Sequence, residues 1–167
     1  MIYSPPQHVE LRYRPSYTEI ANPEILERYK VAEGELIASR EGSEYIRRKI
    51  AEIEVDHRLR QLASLHVNWD TYGAEPPSQG AISAADSITK AFITFGLIPD
   101  AITPSAEGGV AICFVRNQKY ADIECFNSGD ILGVRYSPRE DPRAWAVLPG
   151  AAATDATIQS ISQYLSA

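Results

Sequence analysis

The sequence predicts an α+β fold: a helical N-terminal half, a four-stranded antiparallel meander covered by helices, and a C-terminal helix. Three observations carry that expectation. Apolar residues recur at three- and four-residue steps up to Gly96 and at alternate positions from Ile102 onward, the periods of helix and strand. Turn formers then return at short intervals, at Asn117-Gln118, at Asn127-Ser128-Gly129-Asp130 and from Ser137 to Pro142, as a meander requires. The chain has 167 residues, 44% hydrophobic and 23% charged, enough for one core without metal or disulfide support and unlike a disordered composition. We expect residues 1–22 to form an extended N-terminal arm and residues 23–167 a single α+β domain.

In the arm, Pro5, Pro6 and Pro15 alternate with Tyr3, Tyr13 and Tyr17. Prolines at that density exclude a helix and favour extended backbone. A free tail would leave the three rings in water, so the arm is expected to dock, its rings acting as separate anchors across a subunit or partner boundary. Arg12 and Arg14 can pair there with carboxylates, and the acidic half of the protein offers them. Asn22-Pro23 reads as an N-cap followed by proline at the first helical position, with Ile25, Leu26, Tyr29, Leu36 and Ile37 continuing a helix to about Arg40. Gly42-Ser43 offers a break and a fresh cap before the stripe Ile46, Ile50, Ile53, Leu59, Leu62 and Leu65. That stripe slips at Val55-Asp56-His57, where Asp56 or His57 would turn toward the core.

The segment Asn68–Ser78, rich in turn formers, carries two large aromatics, Trp69 and Tyr72. Ser78 caps the next helix, whose inner face is Ile82, Ala85, Ile88, Phe92 and Phe95 and whose stop is Gly96. The expected strands are Gly109–Val115, Lys119–Phe126, Ile131–Tyr136 and Ala144–Leu148, with Trp145 and Val147 on the covered face. Thr154-Asp155 opens the last helix, turning Ile158, Ile161, Tyr164 and Leu165 inward. A sheet with one apolar face needs a cover, and the helices Ser78–Gly96 and Thr154–Ser166 supply it.

Charge narrows the function. The net charge is −6, and residues 68–167 hold 6 basic against 11 acidic side chains. The only basic run, Arg47-Arg48-Lys49, is flanked by Glu44, Glu52 and Glu54, so it reads as a solvated helix face rather than a phosphate-binding stripe. No direct nucleic-acid binding is expected. The start lacks the basic and apolar regions of a secretory signal, and no run of about 18 apolar residues occurs; the expectation is a cytoplasmic protein without membrane attachment. Cys113 and Cys125 lie in apolar strands without metal-ligand spacing and read as buried thiols. No cofactor is implied.

Chemistry could lie in three places. Asp122 and Glu124 share one sheet face, and Glu107 precedes the neighbouring strand; three carboxylates could bind a divalent ion and assist hydrolysis. Phe126 stands where a nuclease core would place its lysine, and plain alternation on a solvated face also produces the pattern. Glu107-Gly108-Gly109 has the flexibility of an anion loop but no following lysine or helix, which favours a turn or bulge. In Trp69-Asp70-Thr71-Tyr72-Gly73, Asp70 could cap the turn while both rings plug the gap between helices and sheet, or the rings could form a recognition surface. His8, His57 and His66 stand in no recognisable catalytic signature.

The segments NWDTYGAEPPS and PSAEGGVAI, Asn68–Ser78 and Pro104–Ile112, resemble short uncharacterised bacterial proteins that share an NWDxYGAxPPS segment, a helix and a GGVAI strand. The resemblance spans about residues 59–148 and implies common descent without assigning catalytic residues. The expected function is a non-catalytic protein-interaction subunit, such as an antitoxin, immunity or anti-phage defence accessory protein. It would bind a protein partner or a second copy through Tyr3, Tyr13, Tyr17, Trp69, Asp70, Tyr72 and Glu107. The alternative is a metal-dependent hydrolase or nuclease using Glu107, Asp122 and Glu124.

Overall fold

In the computed structural model, which describes residues 40–138, 140–148 and 150–166, the first element is helix α1, Arg40–Ala63. The arm with Tyr3, Tyr13 and Tyr17, the boundary at residue 22 and the helix expected from Pro23 lie outside the described residues. Helix α1 runs through Gly42-Ser43 without the expected break, a glycine inside a helix costing only about 0.5–1 kcal/mol. Nearby pairs, Arg48 with Glu44 at 3.3 Å and Lys49 with Glu52 at 2.7 Å, each support the helix modestly. The buried stripe is Ala51, Val55, Leu59 and Leu62, not the isoleucine series. Asp56 and His57 therefore fall beside the core rather than in it: Asp56 lies 3.4 Å from Lys90, and the His57 ring meets the Gln61 amide at 3.0 Å.

Helix α2, Gln79–Thr94, begins where the sequence places it, with the Ser78 hydroxyl accepting the Ala81 N–H at 3.1 Å. Ile82, Ala85, Ile88 and Phe92 are buried as expected, joined by Ala81, Thr89 and Ile93. Phe95 is not, at 54% exposed. It occupies the C-cap, where the backbone leaves the helical period, and Gly96 follows with φ +82° while the Leu97 N–H returns to the Phe92 carbonyl.

The sheet has five strands in the order β1-β2-β3-β4-β5, all neighbours antiparallel. They are β1 (Ala101–Ser105), β2 (Gly109–Arg116), β3 (Lys119–Phe126), β4 (Ile131–Ser137) and β5 (Glu140–Ala146). The four expected strands are thus joined by β1, which Pro104 hides from sequence reading; proline is tolerated because β1 is an edge strand. Pro142 likewise lies inside β5 and not in a turn, so that strand starts and ends earlier than expected, with an irregular register between Arg135 and Ser137.

Alternation decides which face is covered. Val110, Ile112 and Phe114 of β2 and Ala121, Ile123 and Cys125 of β3 are fully buried. Helix α2 and helix α3 (Ala151–Ser166) pack on those strands, and the rings of Phe92 and Phe114 meet at 4.7 Å. Ile158, Ile161, Tyr164 and Leu165 face inward, as the sequence predicts. Lys119 donates to the Tyr164 carbonyl at 2.8 Å, and the Tyr164 ring also contacts Lys119 and Arg135 at 5.1 and 5.2 Å; the two cations thereby meet the negative end of α3. Trp145 takes the covered face above Gly133 but is only half-buried, because β5 is the other edge. Neither edge invites another strand. Arg58 of α1 donates to the Ile102 carbonyl of β1 at 2.8 Å, and β5 exposes Glu140, Asp141, Pro142 and Arg143, groups that discourage pairing. No helix among the described residues is long and apolar enough to cross a membrane.

Candidate functional site

The loop between α1 and α2 is held by its own polar side chains. The Asn68 amide oxygen accepts the Gly73 N–H at 2.7 Å, and one Asp70 oxygen accepts the N–H groups of Tyr72 at 2.8 Å and Ala74 at 3.0 Å. Backbone bonds from Asn68 to Ala74 and from Thr71 to Asn68 close the ring. This hydrogen bonding supports positive φ at Asn68, Thr71 and Gly73, conformations that asparagine and glycine accept readily. The N–H groups of Ala74 and Tyr72 hold the Asp70 carboxyl below the usual carboxylate range. Asp70 therefore caps the turn. Trp69 is half-buried, its indole N–H donating to the Glu75 carbonyl at 3.3 Å. Tyr72 plugs no gap: it is 92% exposed, and nearby Val67 is 71% exposed.

Asn127, which sequence reading assigns to an ordinary turn, joins the two segments that carry the resemblance. Its side-chain oxygen accepts the Ser78 N–H at 2.6 Å and its amide donates to the Pro76 carbonyl at 3.0 Å. Its backbone N–H donates to the Gly108 carbonyl at 3.0 Å. Two prolines in succession lack N–H groups, so Ser78 supplies the first donor after them, at a helix start where donors have no intrahelical partner. Gly108 and Gly109, with φ +86° and +147°, let the β1–β2 turn pass close to this joint. A Cβ on Gly109 would overlap the Cys125 carbonyl oxygen. The Gly-Gly pair is a close-approach turn, and Glu107 beside it is exposed, its N–H donating to the Ser105 hydroxyl at 3.2 Å.

The face of the sheet turned away from α2 and α3 carries Asp122 and Glu124, as alternation predicts, but they are half-buried rather than fully solvated. Cys113 and Ala111 stand opposite them across β2. The Tyr120 hydroxyl donates to one Asp122 oxygen at 2.7 Å, and the Ser105 hydroxyl donates to Glu124. The other Asp122 oxygen, Oδ1, is screened from solvent and has no hydrogen-bond partner. Burial pushes the Asp122 carboxyl up, against the Tyr120 hydrogen bond, and pushes the Cys113 thiol and the Tyr120 hydroxyl up as well. Cys125, on the covered face, is pushed up by burial to about 12. The two thiols thus occupy opposite faces of the sheet.

The three carboxylates Glu107, Asp122 and Glu124 do not assemble into a metal centre: among the described residues no group of three His, Cys, Asp or Glu side chains is placed to hold an ion. His66 is exposed and His57 is engaged with Gln61, while His8 lies outside the described residues. Signals for the loop and for the shared face of Asp122 and Glu124 were present in sequence. Asn127 gave none, because its partners lie 49 and 51 residues away. No family model, curated protein or solved structure matches the chain.

Proposed function

We propose that the chain is a non-catalytic protein-interaction subunit, of the kind that serves as an antitoxin, an immunity protein or an anti-phage defence accessory, and that Tyr72 is its main anchor on the partner. One observation carries this reading: a loop locked by Asn68 and Asp70 presents a tyrosine that is 92% exposed. Tyrosine supplies a large amphipathic contact with few rotatable bonds, and a preformed loop loses little freedom on binding. Asp70 serves by fixing the loop, Trp69 by tying it down through its indole, and Val67 by extending the apolar surface.

The test is capture of a partner from the native host by the immobilised parent protein and by Tyr72→Ala. A tyrosine hot spot is worth about 2 kcal/mol, roughly thirtyfold in affinity, whereas a surface substitution leaves stability within about 0.5 kcal/mol. The parent should retain a stoichiometric protein that the variant loses, with both proteins melting alike. Equal retention by the two would refute the role of Tyr72. A melting temperature raised by Mg²⁺ or Mn²⁺ in the parent, and no longer raised in the Asp122→Ala/Glu124→Ala double variant, would replace the proposal with metal-dependent hydrolysis.

A further inference from the structure

We infer that α1 carries a self-association surface, on which a second copy of the chain docks antiparallel through Ile46, Ile50 and Ile53. The inference does not involve Tyr72. A helix turns about 100° per residue, so the centre of these three positions lies about 170° around α1 from the centre of Ala51, Val55, Leu59 and Leu62. The second set is buried in the core. The three isoleucines are only partly buried, and among the described residues they belong neither to the core nor to the side chains packed against it. Helix α1 therefore has two apolar faces on opposite sides, and only one of them joins the core. No described residue of α1 before Ala51 is buried, so the isoleucine face begins where the helix stands clear of the core. Isoleucines at steps of four and three, turned away from the core, have the spacing of a helix-pairing seam.

Charge identifies the occupant. The seam is flanked on one side by Lys49 and Asp56 and on the other by Arg47 and Glu54, so on each side a cation precedes an anion by seven residues. A two-fold axis that sets Ile50 of each copy on Ile53 of the other reverses that order across the seam. Lys49 then meets Asp56 and Arg47 meets Glu54, each pair formed twice, because antiparallel helices match like flanking positions. Parallel pairing matches Lys49 with Glu54 alone and leaves Asp56 opposite Gln61. Within the chain Lys49 pairs with Glu52 at 2.7 Å and Asp56 with Lys90 at 3.4 Å, yet both side chains remain about half exposed, open to a further partner. His57 follows Ile53 at the next step of the seam and is engaged with Gln61, which limits the apolar contact to three side chains per copy. A seam of that length belongs to the weak, reversible class of interfaces.

Sedimentation velocity of the full-length protein at low salt, from about 1 to 500 µM, should show a reversible monomer–dimer equilibrium. Ile50→Lys should stay monomeric throughout. At the lowest concentration, where the parent is also monomeric, the two should melt alike, since position 50 faces away from the core. Lys49→Glu and Asp56→Lys, each alone, set like charges opposite one another twice and should weaken dimerisation at least tenfold. An equimolar mixture of these two variants restores opposite charges at both contacts of the heterodimer and should associate as tightly as the parent. A parent that stays monomeric at the highest concentration, or a mixture that associates no better than either variant alone, overturns the inference. Weakening by Lys49→Glu but not by Asp56→Lys overturns it too, because the pair would then be parallel. A lowered melting temperature for Ile50→Lys at the lowest concentration also overturns it, because the stripe would then be covered within a single chain.

Discussion

Asn127→Ala removes the clamp between the β3–β4 turn and the start of α2, and its cost can be worked from the bonds it breaks. The Ser78 N–H loses an acceptor at 2.6 Å and the Pro76 carbonyl loses a donor at 3.0 Å, both partly buried. Each net hydrogen bond is worth about 0.5–1.5 kcal/mol, and partners left unsatisfied add to the loss, less any water that enters the gap. The expected destabilisation is about 2–3 kcal/mol, or roughly 5–10 °C in melting temperature for a chain of this length. The Ser78 hydroxyl still caps Ala81, so helix content should stay at the parental level below the transition. Urea titration followed by far-UV circular dichroism gives the free energy, and hydrogen exchange at residues 78–81 locates it. Asn127→Asp keeps the acceptor for Ser78, with a charge that suits a helix N-terminus. Its second oxygen, however, faces the Pro76 carbonyl. The aspartate variant should therefore lie between the parent and the alanine variant. A stability for Asn127→Ala within about 0.5 kcal/mol of the parent, or unchanged exchange at those amides, would refute the clamp.

Two further outcomes follow from backbone geometry and charge. Gly109→Ala should cost about 3–5 kcal/mol, because positive φ adds strain of about 1–3 kcal/mol and its Cβ meets backbone at Cys125 and Phe126; Gly73→Ala, also at positive φ but with nothing within 4 Å, should cost only about 1 kcal/mol. Equal shifts in the urea midpoints would show that close approach is not what selects glycine at 109. Asp70 should titrate below its ordinary 3.8, so its contribution to stability is complete above 3.8 and is lost as pH falls through the lowered folded value. An NMR titration of its carboxyl carbon with a midpoint at or above 3.8 would contradict the bonds assigned to it.

What the sequence made legible was what neighbouring residues determine together. Ser78, the four-residue steps of α2 and Gly96 define that helix locally, and Ile158, Ile161, Tyr164 and Leu165 do the same for α3. Strict alternation placed Asp122 and Glu124 on one face and Trp145 on the other. Features that depend on distant partners were hidden. Strand β1 has five residues and a proline, and only β2 makes it a strand. Ala51 belongs to the buried stripe of α1, although larger isoleucines nearby draw the eye. The partial burial of Asp122 and Glu124 depends on neighbours supplied by other strands. Tyr72 looked like a plug by composition, yet the loop spends its polar groups on its own backbone and turns that ring outward.

The identity of strand order and sequence order bears on how the chain forms during synthesis. Each strand pairs with the one made just before it, and the β2–β3 hairpin closes through Asn117 and Gln118, both at positive φ, the geometry that suits a tight two-residue connection. Loop closure is then short at every step and the meander should zip quickly. The helical hairpin α1–α2 has no such independence. It leaves the ribosome before the sheet does, and Ile82, Ile88 and Phe92 have no sheet to rest on until β2 and β3 are made. A nascent chain paused before Phe126 therefore exposes the apolar side of α2, which makes that interval the one in which chaperone binding or aggregation competes with folding.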